Sequence, residues 1–496
     1  MDKLNIIMVF TDQHNGAVVH TAGDPWVRTP NMDRLAEEGV MFKNAYCNSP
    51  LCVPSRSSML SGQMPHRTKI FNNAQCLPSD RATFVHSIAA AGYDTVLSGR
   101  MHFNGPDQRH GFEKRLVGDI TTASLGISYA EDRYGYFKGC SMPGRESIEK
   151  SGKGECSVMA FDRDVTDAAC DYLHTRKDKR PLFMVVGMYG PHPPYVGPEE
   201  LFDYYYRVLP DPRPMTEEEL QAAHPFERRF MEKRKIGKET PEEIKRVRAA
   251  YYSMVEYEDR LLGEILSAVE DTMGMENTLV LYASDHGDCI GEHGLFWKSN
   301  LREGALKVPM IFCWKGHTMA GKKMDGLVSL VDVAPTFLEA AQAQMLPVMD
   351  GESLFQTITK GAGIRADRIV MSEICDIKGD DPAAMIRKGR YKLCQYYGYE
   401  ELMLFDLDTD PSEQINLSGD EEYREIREEL LEELRKSWDQ EEIYRERLLA
   451  EQDIAIRRGW AKAQNPVLFY DEWRQAGTRR NQNYLIVDGN RVFEEE

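Results

Sequence analysis

Apolar residues run almost unbroken through Asn5-Ile6-Ile7-Met8-Val9-Phe10 and stop at Thr11-Asp12-Gln13. A run of this length, polar only where it ends, predicts a strand buried on both faces of a parallel sheet. Tyr93 to Ser98, Leu182 to Met188, Thr278 to Ser284 and Val308 to Cys313 repeat the form. Other stretches show helical spacing. Pro30 to Gly39 sets Met32, Leu35 and Ala36 on one side and Asp33, Glu37 and Glu38 on the other, and Ala249 to Ala268 and Asp332 to Ala341 also predict helices. The alternation predicts an α/β fold, a large mixed but mostly parallel sheet sandwiched by helices. Ligands of such sheets gather outside the carboxyl ends of the strands, where the polar clusters of this chain lie.

The rhythm breaks around Gly361 to Arg365, and Ala384 to Leu393 reads as an antiparallel hairpin. From Glu421 to Arg457 charges and Leu/Ile alternate at helical spacing, as in solvated helices. The expected division is a catalytic domain over 1–365, a smaller α+β subdomain over 366–440, and a helical C-terminal extension over 441–496. A chain of 496 residues suits a large domain with a smaller one.

The balance of 61 basic and 80 acidic side chains gives a net charge of −19, which argues against nucleic-acid or anionic-membrane binding. An anionic substrate would need a locally positive pocket. No apolar run reaches the roughly 18–20 residues of a membrane span, and Asn5 to Phe10 is too short and too poorly flanked by basic residues for a signal peptide. The expectation is therefore a cytoplasmic protein. Ten cysteines without a Cys-x-x-Cys pair fit reduced thiols better than a disulfide or zinc framework.

One cysteine stands apart. Ser49-Pro50-Leu51-Cys52-Val53-Pro54-Ser55-Arg56-Ser57-Ser58-Met59-Leu60-Ser61-Gly62 places a thiol two residues before Pro and four before Arg. That arrangement suits a nucleophile at a helix start, where free N–H groups and a guanidinium favour an anion. The string resembles the signature of the formylglycine-dependent sulfatases, of the alkaline phosphatase superfamily. The resemblance implies that a maturation enzyme oxidises Cys52 to formylglycine (3-oxoalanine), whose hydrate supplies the attacking oxygen.

Asp12 and Gln13 end one strand, and Asp285 and His286 end another. Their oxygens suit a hard divalent cation, with one imidazole compatible with Ca2+, Mn2+ or Mg2+. By resemblance these four and Cys52 form the metal site, with Ca2+ favoured. Gln13 and His286 depart from the more frequent Asp and Asn and leave the metal open. Ser98-Gly99-Arg100-Met101-His102 is similar to the family's Gly-Lys-x-His segment, with Arg100 in place of Lys. The resemblance implies that Arg56, Arg100 and Lys298 neutralise the sulfuryl oxygens. His192 then protonates the leaving alcohol, and His102 takes a proton from the aldehyde-derived hydroxyl to expel sulfate.

Phe71 to Ala74, Ser98 to Glu113 and Asp285 to Lys298 look most like the choline-sulfatase branch, in which Asn73 would hydrogen-bond the sulfate. The segment Leu402 to Leu417 is similar to the C-terminal subdomain of sulfatases, a strand running into an Asp-Pro turn. Ile127 falls where that branch carries a Trp for its quaternary ammonium, and Tyr134, Tyr136 and Phe137 could supply other aromatics. The expected activity is hydrolysis of an organic sulfate monoester other than choline sulfate, such as an aryl or larger alkyl sulfate. Phosphonate monoester or phosphate diester hydrolysis is the enzymatic alternative, and a non-catalytic binding protein on this fold the other. The tail, with Phe469, Tyr470 and Trp473, is expected to join a homo-oligomer, as comparable tails do in that branch.

Overall fold

The computed structural model describes residues 3–120, 144–375, 382–464 and 483–495. Ile127, Tyr134, Tyr136 and Phe137, and Phe469, Tyr470 and Trp473, lie outside the described residues.

Eight strands form the central sheet. Their order is Lys322–Ser329, Val40–Tyr46, Met310–Cys313, Thr278–Ser284, Asn5–Asp12, Leu182–Pro191, Asp94–Gly99 and Lys114–Arg115. Asn5–Asp12 lies inside, parallel to both neighbours, with Ile6 opposite Phe183 on one side and Leu279 on the other. Alternate residues of these strands feed two separate cores. Ile6, Met8, Phe10, Phe183, Val185, Leu279 and Leu281 meet Phe84, Phe337 and Leu338 on one face. Ile7, Val9, Met184, Val186, Val280 and Tyr282 meet Phe161, Val165, Leu262 and Ile265 on the other. An unbroken apolar run is what a strand covered on both faces requires.

The expected strands are present with shifted ends, and the fold is the mixed α/β sandwich that their pattern predicts. Val308–Cys313 shortens to Met310–Cys313, because Pro309 has no N–H to give the ladder, and this strand runs antiparallel to both neighbours. Two strands escape the apolar pattern. Lys322–Ser329 begins with exposed Lys322 and Lys323 at the sheet edge, and Val40–Tyr46 is interrupted by exposed Lys43. The helix predicted over Ala249–Ala268 spans Pro241–Thr272, started by a reciprocal Thr240–Glu243 cap with Pro241 in its first turn.

Ile369–Ile374, Ala383–Lys388, Tyr391–Tyr396 and Met403–Asp406 make a small antiparallel sheet. Leu430 and Leu434 of helix Arg424–Arg435, with Trp438, cover it. It is tied to the main body by a buried ionic cluster: Lys392 donates to Glu303 at 2.9 Å and Glu413 at 2.7 Å, and Arg302 donates to Glu227 and the Glu413 carbonyl. After helix Gln440–Gln464 the chain end returns to its own body. Strands Asn483–Val487 and Asn490–Glu495 form a hairpin whose first strand pairs antiparallel with Gly152–Cys156.

Candidate functional site

Four adjacent strands deliver polar side chains at their carboxyl ends. Thr278–Ser284 leads into Asp285 and His286, Asn5–Asp12 ends at Asp12 and Gln13, Leu182–Pro191 leads into His192, and Asp94–Gly99 leads into Arg100 and His102. Parallel strands necessarily place these ends side by side. Opposite them, Cys52 is the first residue of helix Cys52–Ser61, and Leu51 is extended before it. The first turn is capped from outside the helix: Asn73 Oδ1 accepts the Val53 N–H at 3.0 Å. Gly62 closes the helix at φ +68°, where a Cβ would stand 2.9 Å from Met349, so the glycine that ends the Cys52 string is a packing requirement.

The Cys52 sulfur lies 3.3 Å from His286 Nε2, 3.2 Å from Lys298 Nζ, 3.7 Å from Asp12 Oδ1 and 3.9 Å from Asn73 Nδ2. Ligand atoms of Asp12, Cys52, Asp285 and His286 all fall within 4.8 Å of one another, and the four residues are buried. Gln13 is drawn in as well: its N–H donates to Asp285 Oδ1 at 3.1 Å and its Oε1 accepts from Lys298 at 2.7 Å. Two carboxylates, an amide oxygen and an imidazole nitrogen fit a divalent cation, since buried carboxylates this close need a positive charge between them.

The second charge layer is arginine. Arg56 is 1% exposed and donates through Nε to Asp285 Oδ2 at 2.8 Å, through Nη2 to Asp12 Oδ2 and the Thr11 carbonyl, both at 3.2 Å, and through Nη1 to the Arg100 carbonyl. Arg100 donates through Nε to Asp12 Oδ2 at 2.7 Å and through Nη1 to Asp119 Oδ1 at 3.1 Å, and its Nη2 lies 2.7 Å from His102 Nδ1. Both guanidiniums thus grip the buried carboxylates of Asp12 and Asp285, Arg56 both of them and Arg100 that of Asp12. Lys298 is the more accessible cation, 13% exposed against 1% for either arginine.

The electrostatics follow. Burial alone would raise the Asp12 pKa, but Arg100, Lys298, His192 and Arg56 together hold it well below the usual carboxylate range. Burial pushes His286, His102 and His192 down, with Lys298 and Arg100 adding to the effect on His192. His286 Nδ1 faces the Gly287 carbonyl at 3.0 Å and His192 Nδ1 the Pro193 carbonyl at 2.8 Å, so each neutral ring keeps its proton there and turns Nε2 free of it. Gln13, His102, Trp297 and Ser299 all have φ between +53° and +70° without being glycine. Such left-handed residues cluster where a site over-determines the backbone, and Trp297 and Ser299 flank Lys298.

Every sequence-predicted residue except His192 has direct contact with another of the set; His192 joins through the Tyr189 ring, which meets it edge-on at 4.8 Å and lies 4.3 Å from the Arg100 guanidinium. Two buried carboxyls went unassigned by sequence reasoning. Asp288 accepts Gln13 Nε2 at 2.8 Å and the Tyr195 hydroxyl, fixing which way the amide points. Asp119 takes Arg100 through one oxygen and the His102 N–H through the other, each at 3.1 Å. Asp288 sits two residues beyond His286, a usable hint. Asp119 is reached only through the fold.

A family model described as Sulfatase matches residues 4–343, and one described as N-sulphoglucosamine sulphohydrolase, C-terminal, matches 291–440. A choline-sulfatase of Rhizobium meliloti (strain 1021) is 32% identical over 84% of this chain and 82% of its own. Arylsulfatase K of Xenopus laevis is 29% identical over 84% and 79%. Among solved structures, the phosphonate monoester hydrolase of Agrobacterium radiobacter superposes with a TM-score of 0.73, at 23% identity over 88% of this chain and 95% of that one. A protein solved with its substrate D-glucosamine-2-N,6-O-disulfate gives 0.70, at 22% identity over 88% and 98%. These two likenesses show the fold. The family model across most of the chain and the choline-sulfatase identity show more: the chain belongs to the sulfatase family and is a sulfuric ester hydrolase.

Proposed function

We propose that the chain hydrolyses an aryl or larger alkyl sulfate, with Cys52 oxidised to formylglycine and a divalent cation, Ca2+ by preference, held by Asp12, Gln13, Asp285 and His286. The observation that carries this reading is the convergence of Asp12, Asp285, His286 and Lys298 around the Cys52 sulfur, with Gln13 Oε1 on the same ammonium. A cation held by Asp12, Gln13, Asp285 and His286 would supply Lewis-acid polarisation beside the oxygen nucleophile derived from Cys52.

The remaining work falls to this chain's own groups. Lys298 and Asn73, both on the Cys52 sulfur, are positioned to bind sulfuryl oxygens. Arg56 and Arg100 brace the carboxylates they grip and set positive charge behind the sulfuryl oxygens. His192, kept neutral by burial and Lys298, gains a proton when an ester anion binds beside it, and passes that proton to the leaving oxygen. His102, beside Cys52, is the group that the family resemblance assigns to the proton that accompanies sulfate release. Arg100 donates to its Nδ1, so the neutral ring carries its proton on Nε2 and takes the hydroxyl proton only as it gives that one up.

The partners are a formylglycine-generating enzyme and further copies of this chain, assembled through the 441–496 extension. The functional division is 1–365 for the catalytic domain and 366–440 for the subdomain. Arylsulfatase K among the relatives and Ile127 in the sequence support a substrate other than choline sulfate.

The test is intact mass followed by a substrate panel. Conversion of Cys52 lowers the mass by about 18 Da. The matured protein with Ca2+ should turn over aryl sulfates faster than choline sulfate and faster than phenyl phosphonate esters. An unmodified Cys52 in the native host, or faster phosphonate turnover, overturns the reading.

A further inference from the structure

The turn that carries His192 rests on two buried carboxyl groups. Asp162, on helix Ser157–Thr175, accepts the Tyr189 N–H at 2.6 Å and the Gly190 N–H at 2.8 Å, one on each carboxylate oxygen. Glu258, on helix Pro241–Thr272, brings its carboxyl beside that of Asp162, and its Oε2 is buried with no hydrogen-bond partner among the described residues. The backbone lies directly on the pair: a Cβ on Gly190 would stand 2.2 Å from Glu258 Oε1 and 3.1 Å from Asp162 Oδ2.

Two facing carboxyls are a poor packing choice, because neither can ionise beside the other without cost. They are tolerated where a proton is shared between them. Protonated Glu258 donates to Asp162, which then keeps a full carboxylate for two N–H groups; an amide, with one oxygen, could not serve both. The groups served bear on the chemistry. The Tyr189 ring touches His192 and underlies Arg100, which meets His102, so the Tyr189–Gly190 backbone sets both histidines.

We propose that Asp162 and Glu258 are a proton-sharing positioning pair that sets the angle at which His192 meets the departing oxygen. The proposal rests on the reading of His192 as the leaving-group acid. Neither residue has a hydrogen bond or ion pair to Asp12, Gln13, Asp285 or His286 among the described residues. A slack turn would leave ester binding intact and impair proton delivery, which matters most when the leaving alcohol is a poor one.

The experiment uses the matured full chain and compares 4-nitrophenyl sulfate with phenyl sulfate for Asp162→Asn, Glu258→Leu, Glu258→Gln and His192→Asn. Asp162→Asn and Glu258→Leu should each lose about tenfold more kcat on phenyl sulfate than on 4-nitrophenyl sulfate, with KM within about twofold. Glu258→Gln, which keeps a donor toward Asp162, should restore the wild-type ratio. Equal losses on both esters, or a Glu258→Gln ratio as altered as that of Glu258→Leu, overturn the proposal. If circular dichroism shows Asp162→Asn unfolded, the two Glu258 variants carry the same comparison. Failure of His192→Asn to favour the better leaving group removes the underlying reading instead, and the two failures are thereby told apart.

Discussion

Lys298 Nζ stands 3.2 Å from the Cys52 sulfur while also donating to Gln13 Oε1 at 2.7 Å, so one ammonium spans the Cys52 side chain and the Gln13 amide oxygen. Trp297 and Ser299, both left-handed, hold it there. An ammonium so placed meets the negative charge that develops on sulfuryl oxygens. Lys298→Met should lower kcat on an aryl sulfate by about 10²–10³-fold, the range found when a charge-stabilising donor is removed. Steady-state kinetics on matured protein check it, and a loss under about tenfold would assign Lys298 to the metal site alone.

Arg56 bridges Asp12 and Asp285, each wholly buried. Removing it as Arg56→Ala leaves buried Asp285 without its guanidinium and Asp12 with Arg100 and Lys298 alone, and should cost about 3–5 kcal/mol in urea unfolding without added metal. A divalent cation takes over part of the neutralisation, so saturating Ca2+ should shrink the deficit. Arg56→Lys keeps the charge but loses the fork, and should fall between wild type and Arg56→Ala. A deficit that ignores metal would show that Arg56 braces something other than the donor set.

The strands that carry the site were legible because burial on both faces forces a run such as Ile6 to Phe10, and because such a strand must end where polar residues begin. Cys52 stands in a string with few alternative uses, whereas Asp12 and Asp285 stand in ordinary strand-end strings that gain meaning only beside it. What stayed hidden depends on which distant residues face each other. Lys322–Ser329 is an edge strand with charged residues at its start, so it shows no apolar signal. The grip of Arg56 and Arg100 on the Asp12 and Asp285 carboxylates depends on burial at 1% exposure, which a sequence string does not encode. Asp119 lies 17 residues beyond His102 in a loop without a periodic pattern and gains meaning only when both ends of the loop meet Arg100.

Asp119 gives a sharper test of the same layer. Its two oxygens hold the Arg100 guanidinium and the His102 N–H, so Asp119→Asn should misdirect both without touching the donors around Cys52. The expected result is a fall in kcat of about 10–100-fold, the scale typical of groups that orient ligands and their partners. KM and bound metal should change little. Metal content by atomic emission beside kcat separates the cases, and loss of metal in proportion to activity would place Asp119 in the donor set's support instead.

Asp162 and Glu258 also predict a pH dependence of stability. Burial pushes the Asp162 carboxyl up to about 7, against the pull of the Tyr189 and Gly190 N–H groups, and burial with the neighbouring Asp162 charge raises Glu258 well above its ordinary value. Facing the pair are Arg100, whose pKa is raised, Cys156, pushed up to about 12, and the raised Tyr257 and Tyr282, none of which titrates between pH 5 and 8. A carboxyl with a raised folded pKa keeps a proton that the unfolded chain, at about 4, releases. Its contribution is complete below about pH 4 and is lost as pH rises through the folded value, at about 1.4 kcal/mol per pH unit for one proton. Glu258→Gln removes the second ionisable group while keeping a donor, so its stability relative to wild type should improve steadily from pH 5 to pH 8. Urea midpoints at pH 5, 6.5 and 8 measure it; a difference that stays constant across that range would mean that the pair does not share a proton.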